Sequence, residues 1–150
     1  MPQSLSCILV HIVFSTKHRQ PFIKPEIETE LFKYMAGIFR EYNSPALAIN
    51  GTENHVHNLA SLAKTMTVSK LIEEVKRSSS KWIKTQDDAY KNFYWQTGYG
   101  AFSISPSQVE VSKNYIANQK EHHRNQTFQD EFRALLRRYG VQYDERYVWD

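Results

Sequence analysis

Ala46-Leu47-Ala48-Ile49-Asn50-Gly51-Thr52-Glu53-Asn54-His55-Val56-His57-Asn58-Leu59-Ala60-Ser61-Leu62 decides how this chain is read. Ala46–Ile49 and His55–Leu62 read as two strands joined by a turn around Gly51. Side chains alternate faces along a strand, so His55 and His57 point the same way. Two imidazoles on one face make half of a metal site. Asn58 falls on the other face, with Val56, where a core residue is expected. A buried Asn there needs a hydrogen-bond partner or costs about 1–3 kcal/mol.

Working outward, Leu5–Thr16 is rich in Ile, Val and Phe and reads as a first strand. Glu26–Tyr42 carries Ile27, Leu31, Tyr34, Met35, Ile38 and Phe39 near helical period, with Pro25 at the first turn and Asn43-Ser44-Pro45 as the stop. Thr67–Thr85 is a second amphipathic helix opened by a Thr cap. Ala101–Ile104 is a fourth short strand. Ser105-Pro106-Ser107 opens a third helix running to about His123, and Thr127–Tyr139, stopped by Gly140, is a fourth. The order β-α-β-β-α-β followed by helices predicts an α+β, ferredoxin-like, four-stranded antiparallel sheet with helices packed on it and an extra C-terminal helical segment. In that topology the first and third strands are central, so the His pair sits on a rigid strand.

The 150 residues fit one domain, 1–150, with a real core; 41% are hydrophobic and 13% aromatic. No apolar run reaches the roughly 18 residues of a membrane span. The N-terminal residues lack a basic leader and cleavage site, and the single cysteine, Cys7, excludes an internal disulfide, so a cytoplasmic protein is expected. A net charge of +3 permits a polyanionic partner without demanding one.

On the third helix, Tyr115 and Gln119 are four residues apart and share a face away from Val109 and Ile116. Two histidines and a glutamine oxygen can hold a divalent cation with open positions for water or phosphate oxygen. A tyrosine one turn from the glutamine would sit beside a metal-polarised phosphate. Free tyrosine has a pKa of about 10 and is a weak nucleophile. A nearby cation favours the phenolate and neutralises the phosphate under attack. The product, a phosphotyrosine, keeps the phosphodiester energy for rejoining, which suits strand transfer.

Four pieces in order carry a family resemblance: Ile12-Val13-Phe14-Ser15-Thr16-Lys17, His55-Val56-His57, Trp95-Gln96-Thr97-Gly98-Tyr99-Gly100-Ala101-Phe102-Ser103, and Tyr115-Ile116-Ala117-Asn118-Gln119, closed by His122-His123. The chain resembles the single-tyrosine HUH transposases of small bacterial insertion sequences, including the REP-associated tyrosine transposases. The resemblance implies binding of single-stranded DNA with hairpin ends and Mg²⁺ or Mn²⁺ held by His55, His57 and Gln119. It implies attack by Tyr115 to give a 5′-phosphotyrosine bond and a free 3′-OH. It also implies a homodimer, in several members with the tyrosine helix packed on the partner's His pair. The family usually has apolar residues after the second histidine; here Asn58 comes first.

Around this site, Lys17, His18 and Arg19 are either phosphate contacts or a solvated loop. Lys76, Arg77 and Lys81 lie near one side of the second helix as candidate DNA contacts, with Trp82 more naturally a core residue. His11 is either a residue supporting the His pair or a satisfied core histidine. His122 and His123 are either phosphate or minor metal contacts or a polar helix end. Gly98 and Gly100 are either turns or a hinge before the tyrosine helix. The aromatics from Tyr90 to Phe102 are expected in the core or at a dimer contact. Two other readings stay open: a catalytically silent or domesticated hairpin-binding module, and an RNA-binding ferredoxin-like domain, although the central strands lack the usual aromatic pair.

Overall fold

The computed structural model describes residues 2–150. Four strands, β1 (Leu9–Ser15), β2 (Ala46–Thr52), β3 (His55–Ser61) and β4 (Gly100–Ile104), form one antiparallel sheet in the order β2-β3-β1-β4. The first and third strands are central, as the ferredoxin-like order requires. β1 is shorter than the strand expected from the sequence, Leu5–Thr16. Leu9 pairs with Ser61 on one side and Ile104 on the other, and both partner strands end there; beyond them the Ile8 carbonyl still accepts from the Leu62 N–H (2.7 Å).

Two helices cover one face. In α1 (Pro25–Glu41), Pro25 occupies the first turn, where its missing N–H costs nothing, and Ile27, Leu31, Met35 and Ile38 form the buried stripe. Asn43 ends the helix in the left-handed region (φ 55°), and the Ser44 N–H reaches back to the Phe39 carbonyl. In α2 (Val68–Lys84) the Thr67 hydroxyl accepts from the Lys70 N–H and caps the first turn. Val10, Ile12 and Phe14 of β1 and Val56 and Ala60 of β3 meet these helices in the main core. Asn58 shares that apolar face. Its amide donates a long bond to the Ile12 carbonyl (3.3 Å), and its Oδ1 is buried without a partner. Trp82 is half-buried and stacks on Tyr34.

The opposite face carries α3 (Val109–Ala117), α4 (Gln119–His122) and α5 (Phe128–Arg138), with Val13 and Phe102 packing on Phe128, Phe132, Leu135 and Leu136. The sequence predicts one helix from about residue 105 to His123; the structure breaks it at Asn118. The cause lies in β2. The Asn50 side-chain amide donates to the carbonyls of Ile116 (3.0 Å) and Ala117 (3.1 Å), taking the acceptors that a continuing helix would use. The hairpin turn also differs from expectation. It falls at Glu53–Asn54, and Gly51 lies within β2 opposite Val56. A Cβ on Gly51 would sit 2.1 Å from the His55 carbonyl oxygen, so glycine is required there by close approach of two backbones. Gly100 likewise makes room for the Phe132 ring.

Candidate active site

The register puts Val13 opposite His57 and Ser15 opposite His55, with β2 closing the other side. Both imidazoles face α3, α4 and α5 and are fully buried. Each has its Nδ1 engaged away from the centre. His55 Nδ1 donates to Asn54 Oδ1 (2.8 Å), beside the Thr52 hydroxyl. His57 Nδ1 shares a proton with His11 Nε2 (2.8 Å), and the two rings stack at 5.0 Å. The structure thus places His11 directly behind His57. Holding Nδ1 from outside leaves Nε2 as the inward-facing atom, the arrangement that prepares an imidazole as a ligand.

The inward atoms converge on Glu131 of α5. Its Oε1 lies 2.9 Å from His57 Nε2, 2.9 Å from His123 Nε2 and 3.4 Å from His55 Nε2. Its Oε2 accepts from Gln119 Nε2 (3.0 Å) and from the Tyr115 hydroxyl. Gln119 Oε1 faces His55 Nε2 at 3.1 Å across sixty-four residues of sequence. His123 Nδ1 donates to the Gln126 carbonyl (2.7 Å), again leaving Nε2 inward. The break at Asn118 therefore keeps Tyr115 and Gln119 on the same centre and swings His123 into it.

The protonation states follow from burial and the one carboxylate. Burial pulls His11 down to about 3. Burial also lowers His57, to about 4, against the opposing pull of Glu131. For Glu131, burial disfavours the charge, but hydrogen bonds from His123, His55 and His57 outweigh it and hold the carboxyl below its usual range. For His123, burial is outweighed by the bond and charge of Glu131, and the ring titrates above its usual value. The consistent assignment is an ionised Glu131 balanced by His123, with His11 and His57 neutral. Burial, then the Glu131 charge, raise Tyr115 well above ordinary tyrosine, so the phenol holds its proton tightly.

The donor set fits a divalent cation. One ligand atom each from His55, His57, His123 and Glu131 lies within 4.8 Å of all the others. Neighbouring ligands about 2.1 Å from one octahedral cation are about 3.0 Å apart, close to the separations around Glu131 Oε1. Glu131 was not legible as a site residue from sequence alone. Its signal is a carboxylate on the apolar face of α5, in line with Phe128 and Leu135.

Tyr115 opens onto a cleft of about 430 Å³ lined also by His11, Ser103, Gln108, Glu131 and Arg138. The His122 ring lies tilted against Tyr115 at 4.8 Å, and its Nε2 is buried without a partner. Other candidates lie elsewhere. Lys17, His18 and Arg19 form a 3-10 turn at the His55 end of β1; the Arg19 guanidinium lies over Trp149. Lys76, Arg77 and Lys81 belong to α2, across the sheet from the His pair. The Lys76 ammonium is bound by the carbonyls of Gln96 (2.8 Å) and Gly98 (2.6 Å), and Arg77 pairs with Glu74. Of the aromatics, Tyr90, Phe93, Trp95 and Phe102 are in the core, whereas Tyr94 and Tyr99 are exposed.

The chain is thus a ferredoxin-like sheet with the Tyr115 helix docked over His55 and His57. The chain matches the IS200-like transposase family over residues 4–119, most of its length, and it belongs to that family. Among solved structures, it is similar to a "putative transposase" from Deinococcus radiodurans, at 16% identity, TM-score 0.62, covering 79% of this chain and 98% of that one. It is also similar to a REP-associated tyrosine transposase bound to a REP hairpin, at 14% identity, TM-score 0.61, covering 82% of this chain and 72% of that one. Both share the fold. Among curated proteins, none matches this chain. No helix among the described residues is long and apolar enough to cross a membrane.

Proposed function

We propose that the chain cleaves and rejoins single-stranded DNA by divalent-metal-dependent transesterification, with Tyr115 as nucleophile and His55, His57 and Gln119 holding Mg²⁺ or Mn²⁺. The observation that carries this reading is the convergence of Tyr115, Gln119 and the His pair on one buried centre beside an open cleft. Bound there, a divalent cation would polarise the scissile phosphate and favour the phenolate. The protein's own groups supply the rest. Oη of Tyr115 bonds to phosphorus, the bond from phosphorus to the 3′ oxygen breaks, and that oxygen leaves as a 3′-OH with a proton from water. Glu131 Oε2 accepts the hydrogen bond of the phenol and so holds Oη at the centre; the phenolic proton leaves to water as the phenolate forms. Arg138, on the cleft wall, provides a cation for a flanking phosphate.

The substrate in this reading is a single-stranded end carrying a hairpin, as in the DNA-bound neighbour of similar fold. Helices α3, α4 and α5 cover the sheet face that an RNA-recognition sheet uses to stack bases, which counts against the RNA-binding alternative. A homodimer belongs to this reading, and within the single chain His55, His57, Tyr115 and Gln119 already meet at one centre. A Tyr115→Phe variant incubated with a hairpin oligonucleotide and Mn²⁺ should form no covalent adduct while retaining binding. An adduct formed by that variant removes Tyr115 from its role.

A further inference from the structure

The family match ends at residue 119, yet two of the inward donors, His123 and Glu131, come from the segment beyond it. We infer that Glu131 and His123 are metal ligands, joining His55, His57 and Gln119 in a nitrogen-rich set that takes Mn²⁺ in preference to Mg²⁺. The inference rests on the metal reading above and deepens it.

Geometry supports each member. Glu131 Oε1 sits 2.9–3.4 Å from three imidazole Nε2 atoms, the spacing of donors sharing one cation. The two carboxylate oxygens are divided: Oε1 faces the imidazoles, and Oε2 is occupied by Tyr115 and Gln119. All three imidazoles have Nδ1 held by an outer partner, Asn54, His11 or the Gln126 carbonyl. Such outer bonds fix ring orientation in metal sites. Among the described residues, no lysine or arginine pairs with Glu131, although its side chain is 2% exposed. A buried carboxylate ringed by imidazoles matches a cation site better than a structural ion pair. Imidazole donors favour transition cations, whereas Mg²⁺ prefers all-oxygen surroundings and keeps its waters. The same carboxylate ties α5 to α3 through Tyr115, so the segment that supplies the ligand also positions the nucleophile.

The test is calorimetric titration of the DNA-free protein with Mn²⁺ alone and with Mg²⁺ alone. The wild type should bind Mn²⁺ more tightly than Mg²⁺. Glu131→Gln should weaken Mn²⁺ binding at least about tenfold, by comparison with losses on removing even outer partners. His123→Ala should narrow the Mn²⁺ preference by a similar factor. Glu131→Asp, which keeps the carboxylate on a shorter arm, should fall between Gln and wild type and serves if the Gln variant does not fold. Unchanged or tighter Mn²⁺ binding by Glu131→Gln overturns the inference, as does an unchanged preference in His123→Ala. If the wild type and Glu131→Gln bind equally while His55→Ala loses binding, the inference alone falls. If the wild type binds no Mn²⁺, the metal reading of the site falls with it.

Discussion

Replacing Gly51 by alanine tests whether the hairpin is what holds His55 in place. An added Cβ would lie 2.1 Å from the His55 carbonyl oxygen and 2.9 Å from Val56 Cα. Contact below about 3.0 Å is not tolerated, so the two strands must part by about 1 Å. Both clashing partners are backbone in a paired hairpin, so no rotamer change relieves them. Overpacking of this kind costs about 1–3 kcal/mol, and the backbone origin of the clash places this case near 3. For a chain of this size that lowers Tm by about 6–12 °C. The displaced strand carries His55, so Mn²⁺ affinity should fall more than a remote substitution of equal destabilisation would cause. Differential scanning calorimetry gives the first quantity and titration calorimetry the second. A variant with wild-type Tm and wild-type Mn²⁺ affinity would refute the idea that close backbone approach at Gly51 fixes the ligand strand.

Two further outcomes follow from buried polar groups on the other face of the sheet. Asn58→Leu removes a buried, unpartnered Oδ1 from an apolar core and should stabilise the fold by about 1 kcal/mol in urea denaturation; a loss of similar size would show that the long bond to Ile12 matters more. Glu74, held by Arg77, Tyr42 and Lys70, is pulled down to about 2. Because its folded value is depressed, its stabilisation is present above the ordinary carboxylate range and is lost as pH falls through about 2. Glu74→Gln should therefore lose less stability than wild type between about pH 5 and pH 2, and parallel acid curves would contradict this.

Much of the fold was legible because strand alternation and helical stripes are local signals. Pro25, Asn43, Thr67 and Thr127 mark helix ends in the sequence and do so in the structure. The His pair was legible for the same reason, since its common face follows from spacing alone. What escaped notice was set by distant partners. The helix breaks at Asn118 because Asn50, sixty-six residues away from Ile116, takes a carbonyl there. Lys76 reads as a candidate phosphate contact, and its bonds to the backbone carbonyls of Gln96 and Gly98, about twenty residues on, are not legible from local pattern. Glu131 drew no reading from the sequence, because its partners His57, His123 and Gln119 come from other elements. Gly51 reads as a turn because local pattern does not distinguish φ freedom from close approach.

The most direct test of the proposed chemistry is peptide mapping of the wild-type protein after reaction with a single-stranded hairpin oligonucleotide and Mn²⁺. The account predicts one 5′-phosphonucleotide adduct, located on Tyr115 and absent when the metal is chelated. Cleavage of the oligonucleotide with no protein adduct, or an adduct on another tyrosine, would contradict it.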